Sequence, residues 1–380
     1  MYQAEEDEHR PTLFIMSTPT LQAVLFAVLA SLFVSARCEN QSWKGVALFV
    51  LGDSINDAGT NNYINTTAGF RANFPPYGET FFRIPTGRFS DGRLIVDFIA
   101  EYANLPLIPP YLQMKDDEFM GGANFASGGA GALVGTSEGY VVDLKTQLKQ
   151  LEQLEKKLRK EMGSEKAKRI IKDGVYLISI GTNDYGMPLS YPALFQSISM
   201  EDYVGMVIGN ITTVLKGIYE VGGRKFAMIG VGQFGCAPSG RASTRNGSCS
   251  VEANNVAKLH NVALTSVLTK LEIQLQGFEY SYFDYYTSGS KRFQYPSKYG
   301  FKEGQIACCG SGPYRGNFTC GGQRGVKEYS LCHHPDKYVF FDSGHSSERA
   351  NRQYAQLMWN GNLSVVGPRN VKAFFKHEGA

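Results

Sequence analysis

Apolar positions along this chain fall into two patterns. Residues 46–51 (VALFVL), 175–180 (VYLISI) and 226–231 (FAMIGV) are short, nearly uninterrupted apolar runs. Runs of this kind predict strands buried on both faces. Residues 280–285 are expected to form a further strand. Between these runs, Leu144, Leu148, Leu151, Leu154, Leu158 and Met162 recur at helical spacing, with Lys and Glu on the other face. That spacing predicts an amphipathic helix. Helices are also expected over residues 94–101, 203–220, 251–275 and 350–359. Buried strands alternating with such helices predict an α/β protein, a three-layer sandwich around a central, mostly parallel sheet. No Pro/Ser-rich hinge, low-complexity tract or internal repeat interrupts residues 39–380, so one domain is expected there.

A parallel sheet of this type presents ligands at the C-terminal ends of its strands. Two polar clusters fall at such ends: Gly52-Asp53-Ser54 after the first run and Gly181-Thr182-Asn183-Asp184 after the second. Gly, Asp, Ser and Asn favour turns, so a plain turn is one reading. A serine nucleophile held at the end of a strand is the other.

The first 38 residues break the pattern. Leu21 to Val34 is an uncharged apolar run of about 14 residues followed by Ser35 and Ala36. It suits the core of a signal peptide and is too short for a membrane span of about 20 residues. A cut after Ala36 or Cys38 and a secreted, extracellular protein are expected. The residues before the run are acidic where a basic segment is usual, and Met16 offers an alternative start. A buried core helix is the competing reading. No later run suits a membrane span.

Cysteine usage agrees with export. Of seven cysteines, Cys38 falls at the expected cut, leaving Cys236, Cys249, Cys308, Cys309, Cys320 and Cys332. Six cysteines suit disulfides, and six allow fifteen pairings. Cys236 with Cys249 is the local expectation. The other four pair among themselves, without a bond between the adjacent Cys308 and Cys309. A zinc site from those four with His333 or His334 lacks the paired spacing such sites usually show. Asn40, Asn65, Asn210, Asn246, Asn317 and Asn362 each begin an Asn-x-Ser/Thr sequon, which suggests a glycosylated surface. The net charge of +3 is small and the basic residues are scattered, so nucleic acid is not an expected partner.

A nucleophilic serine needs a base, an acid to orient it and donors for an oxyanion. The C-terminal segment FFDSGHSSERAN holds Asp342 and His345, three residues apart. That spacing lets the carboxylate curl back onto one ring nitrogen and leaves the other for Ser54. A helix-capping Asp is the competing reading. Candidate oxyanion donors are the backbone N–H of Ser54, the backbone N–H of Gly92 in GRFSDGR and the side chain of Asn183. Two other patterns carry less. Gly135-Thr136-Ser137-Glu138-Gly139 matches a G-x-S-x-G elbow, but a glycine-rich loop precedes it instead of a strand. Gly129, Gly131 and Gly135 do not have the spacing of a dinucleotide loop.

Together these segments resemble the plant GDSL esterase/lipases, a branch of the SGNH hydrolases, over nearly the whole mature chain. GDSINDAGTNNY, GRFSDGRLIVDFIAE, GANFASGGAGALVG, GTNDY and FFDSGHSSERANRQ are similar to the family's successive blocks. KYGFKEGQIACCGSGPYRGNFTCGG, LIPP at 107–110 and ALFQSIS at 193–199 are similar to the secreted, defence-associated members. The resemblance implies a flavodoxin-like fold, Ser54 as nucleophile, His345 as base oriented by Asp342, and Gly92 and Asn183 as oxyanion donors. It implies a small-molecule or lipid ester as substrate and no metal or organic cofactor. Thr60 stands where the family usually has Asn, and Ser346-Ser347 where it usually has Pro-Thr. Acyl transfer to an alcohol on the same residues is one alternative. A catalytically silent, glycosylated binding protein is another.

Overall fold

A computed structural model of the chain describes residues 45–115 and 119–376. The apolar run 21–34, Met16, Cys38 and Asn40 lie outside the described residues. The principal strands are β1 (Leu48–Gly52), β2 (Gly122–Asn124), β3 (Val175–Ser179), β4 (Lys225–Ile229), β5 (Glu279–Phe283) and β6 (Val366–Gly367). The principal helices are α1 (Ile95–Tyr102), α2 (Leu144–Met162), α3 (Ser164–Asp173), α4 (Met200–Val221), α5 (Val251–Gln274), α6 (Tyr285–Gln294) and α7 (Glu348–Asn360).

The sheet runs in the order β2-β1-β3-β4-β5-β6. Its first five strands are parallel, and β6 pairs antiparallel with β5. The two-layer burial expected from the apolar runs is explicit in the register. Phe49, Tyr176, Phe226 and Tyr280 align across four strands. They belong to one core with Leu151, Leu154 and Leu158 of α2, Val207 and Ile211 of α4, and Leu264 and Leu268 of α5. Helix α1 packs against α7. These two helices bury Ile95, Val96, Phe98 and Ile99, and Tyr354, Ala355 and Met358. The described fold is therefore a doubly wound α/β sandwich. The chain steps from β1 outward to β2 and then back across to β3, so the strand order reverses beside β1. Ligands of doubly wound sheets bind at such a reversal.

Four elements were not marked by an apolar pattern. Strand β2 is Gly-Ala-Asn, too short and too small to stand out. Its Gly122 has φ +110, and a Cβ there would lie 1.9 Å from the Leu48 carbonyl oxygen. Backbone proximity, not side-chain hydrophobicity, makes that pairing. Strand β6 has only two residues. Helix α3 buries only Ala167 and Ile171. Helix α6 contains Gly289 and three serine or threonine residues, a turn-like composition overridden by tertiary packing.

All six described cysteines are paired: Cys236–Cys249, Cys308–Cys332 and Cys309–Cys320. The expected local pair is present, and the zinc alternative loses its thiolates. Among the described sequons, Asn65, Asn246, Asn317 and Asn362 are exposed. Asn210 is half-buried within α4 and donates to the Met206 carbonyl. Among the described residues, no helix is long and apolar enough to cross a membrane.

Candidate active site

The turn after β1 is built by its own polar side chains. Gly52 has φ +129, and a Cβ there would lie 2.0 Å from the Ser179 carbonyl oxygen. Only glycine lets β1 and β3 stay paired while the chain turns. Gln147 of α2 closes the strand end, accepting from Gly52 N–H at 2.7 Å and donating to its carbonyl at 2.9 Å. Asp53 Oδ1 accepts from Ile55 N–H. Asp57 Oδ1 accepts from Gly59 and Thr60 N–H, and its Oδ2 accepts from Gly128 N–H. Asn61 donates to the Phe70 and Gly128 carbonyls. Asp57 and Asn61 thus bind the β1 turn to the glycine-rich loop after β2.

Ser54 stands in that turn. Its Oγ lies 2.8 Å from His345 Nε2. His345 Nδ1 lies 2.7 Å and 2.9 Å from the two oxygens of Asp342. Asp342 is fully buried, yet its Oδ1 also accepts from the backbone N–H groups of Gly344 and His345. Its Oδ2 accepts from the Tyr77 hydroxyl at 2.7 Å. Burial alone raises a carboxyl pKa, but here His345 and these donors outweigh it and hold Asp342 below the usual carboxylate value. An antiparallel bridge between Phe340 and Ser346 closes the turn that carries both residues. Phe89 packs on the His345 ring, with centroids 4.8 Å apart.

Asn183 follows β3. Its Nδ2 donates to the Ala130 carbonyl at 2.9 Å, which settles the amide's orientation and uses one of its two hydrogens. Neighbouring Asp184 accepts from Ala132 N–H, Leu133 N–H and the Thr136 hydroxyl. Burial raises the Asp184 pKa against those three donors. The glycine-rich loop is thereby tied to the turns after both β1 and β3. Ser137 sits in that loop with φ +53, well past the end of β2, so no strand presents it as an elbow.

Gly92 packs its Cα side into a polar corner. A Cβ there would lie 1.8 Å from Glu348 Oε2 and 2.6 Å from Thr80 Oγ1. Beside it, Arg93 pairs with Glu348 at 2.7 Å and Glu101 at 2.8 Å. The Gly92 backbone N–H donates to no acceptor among the described residues. Its glycine has a steric reason in this corner: any side chain would strike the Glu348 carboxylate.

Another histidine lies behind the site. His260 is fully buried, and its Nδ1 is 2.8 Å from the Tyr185 hydroxyl. Burial pushes its pKa down to about 3, so it stays neutral. Asp53, also buried, is pushed up to about 7, chiefly by burial, with the Ile55 N–H and His345 opposing. Asp57, Asp184, Gln147 and Tyr77 were not singled out from sequence. Asp57 and Asp184 lie inside recognised blocks, but which donors they serve is set by loops distant in the chain.

A doubly wound sheet with a Ser–His–Asp array at its strand-order reversal has the architecture of an SGNH-type hydrolase. The GDSL-like Lipase/Acylhydrolase family model matches residues 48–358. The chain is 52% identical over 336 residues to "GDSL esterase/lipase 1" of Arabidopsis thaliana, covering 87% of this chain and 90% of that protein. It is 49% identical over 372 residues to "GDSL esterase/lipase 5" of the same plant, covering 94% and 96%. It is also 49% identical over 353 residues to "GDSL lipase" of Tanacetum cinerariifolium, covering 93% of each. The chain belongs to the GDSL lipase/acylhydrolase family and is a carboxylic ester hydrolase.

Proposed function

We propose that this protein is a secreted serine esterase or lipase whose Ser54, His345 and Asp342 cleave acyl esters. The observation that carries this reading is the continuous set of contacts from Ser54 Oγ through His345 to Asp342, at 2.8 Å and 2.7 Å. His345 Nε2 takes the proton from Ser54 as Oγ attacks the ester carbonyl. Asp342, held ionised, orients the ring and stabilises the imidazolium that forms. The oxyanion is held by the second amide hydrogen of Asn183 and by the Ser54 backbone N–H. Among the described residues, that N–H donates to no protein acceptor. The Gly92 backbone N–H, also without a protein acceptor among the described residues, is the third donor. His345 then protonates the leaving alkoxide, activates water and returns the serine.

Export is supported by the apolar run at 21–34, the three disulfides and the exposed sequons. Disulfides persist in oxidising compartments. Residues 1–38 act as signal peptide and extension, residues 39–380 form one hydrolase domain, and the exposed sequons carry glycans. The natural ester is a small-molecule or lipid one, met outside the cell in a defence setting. The test is hydrolysis of short and medium p-nitrophenyl esters by the secreted protein, with organophosphonate labelling located by peptide mapping. A label on Ser54 is expected; a label on another residue defeats the assignment.

A further inference from the structure

Asp342 has a partner that the proposed chemistry does not use. Tyr77 is almost wholly buried, and its hydroxyl donates to Asp342 Oδ2 at 2.7 Å. The hydroxyl is itself held: Arg324 Nη1 donates to the Tyr77 oxygen at 3.1 Å. Arg324 is fixed from several sides. It donates to the carbonyls of Ala68, Arg71 and Cys320. Its guanidinium lies over the Phe318 ring at 3.8 Å and the Phe74 ring at 4.8 Å. Arginine's planar fork suits such a multi-acceptor seat better than lysine's point charge.

Arg324 and its supports arrive from a cross-linked segment. Cys308–Cys332 and Cys309–Cys320 staple residues 308–332. Cys308 and Cys309 N–H groups donate to the carbonyls of Phe340 and Phe341, the two residues before Asp342. The stapled segment therefore grips Asp342 twice, through its backbone neighbours and through the Arg324–Tyr77 chain.

We propose that Tyr77, held by Arg324, is a positioning residue of the reaction that keeps Asp342 oriented and ionised toward His345. This rests on the Ser54–His345–Asp342 reading. Burial and the Asp342 charge raise the Tyr77 pKa well above its ordinary value, with Arg324 opposing, so the hydroxyl stays a donor. Two groups thus draw charge from Asp342: the Tyr77 O–H directly and the Arg324 cation behind it. Among the described residues, the other titratable group facing Asp342 is His345 on its own turn, and Asp53 faces His345 across the site. Without Tyr77 the carboxylate keeps more charge for the imidazolium, and its own orientation loosens.

Tyr77→Phe, Arg324→Met and Arg324→Lys, beside Ser54→Ala, test this on a p-nitrophenyl ester from pH 5 to 9, with thermal midpoints measured in parallel. Tyr77→Phe should lower kcat about tenfold, as for the loss of one hydrogen bond to a charged group, with KM within about twofold. Its acidic limb should move up by a few tenths of a pH unit, since the base is charged more readily. Arg324→Met should move the limb the same way with a smaller loss in kcat. Arg324→Lys should restore the limb. If Tyr77→Phe does not fold, the two Arg324 variants decide alone by the same criterion. Wild-type kcat and limb in the variants overturn the proposal, as does a loss that follows a lowered midpoint with the limb unmoved. If Ser54→Ala turns over ester at the wild-type rate, the underlying assignment has failed, and that result is distinct from failure of Tyr77.

Discussion

Ser54 stands just past β1, an inner strand of the mostly parallel sheet, while His345 stands in a turn that belongs to no strand of that sheet. The serine turn is held by strand pairing, by Gln147 across the strand end, and by Asp57 and Asn61 reaching the glycine-rich loop. The histidine turn is held by the Phe340–Ser346 bridge, by Tyr77 on Asp342 and by a segment closed with two disulfides. One side is positioned by backbone topology, which is shared by every residue of the sheet. The other is positioned by side chains and covalent staples brought from distant sequence. The sheet side should therefore tolerate loss of a single prop with its fold intact, provided the glycines stay, whereas the turn side should convert loss of a prop directly into lost catalytic geometry.

Removing chemistry from the sheet side should give the largest effect. Ser54→Ala is expected to lower kcat by about 10⁴-fold or more with the thermal midpoint unchanged. Steady-state kinetics and calorimetry on the same preparation check both halves. Asn183→Ala should cost about 10²–10³ in kcat and little in KM, as expected for one oxyanion donor. A rise in KM with kcat unchanged would instead make Asn183 a ground-state contact.

On the other side, Cys309→Ser with Cys320→Ser opens a staple whose cysteines are 11 residues apart. A stability loss of roughly 2–3 kcal/mol is expected from the chain-entropy account of short disulfide loops. Denaturant unfolding measures it, and kcat should fall several-fold while the protein is still folded. Undiminished kcat in the folded variant would uncouple the stapled segment from Asp342.

The last effect leaves the reacting groups in place and concerns Asp53, whose folded-state pKa of about 7 is raised by burial from 3.8. Between those values the folded state holds a proton that the unfolded chain has released. Stability therefore falls as pH rises through that window. Asp53→Asn keeps an acceptor for Ile55 N–H and removes this slope. It should match wild type near pH 4 and exceed it at pH 8 by up to about 4 kcal/mol, given roughly 1.4 kcal/mol for each pH unit between 3.8 and about 7. Asp57 and Asp91, each pushed up to about 6 by burial, add slopes of the same sign over a narrower window that ends near pH 6. Urea midpoints at the two pH values test this.

Much of this protein is determined by its sequence alone, and the reason is local. Uniformly apolar runs such as VYLISI can be satisfied only by burial on both faces, so they declare a covered parallel sheet. Asp342 and His345 are three residues apart, close enough for one turn to join them wherever that turn lies. Gly52, Ser54 and Asn183 stand at strand ends that the apolar runs themselves mark. Tertiary structure decided what depends on contacts between distant segments. Strand β2 has no pattern because its pairing rests on a glycine's close approach to Leu48. The Glu348 carboxylate that fills the space beside Gly92 comes from 256 residues further on. Tyr77 and Arg324 are ordinary core and surface residue types by composition. Only folding brings them to one buried carboxylate, where low dielectric makes each donor count.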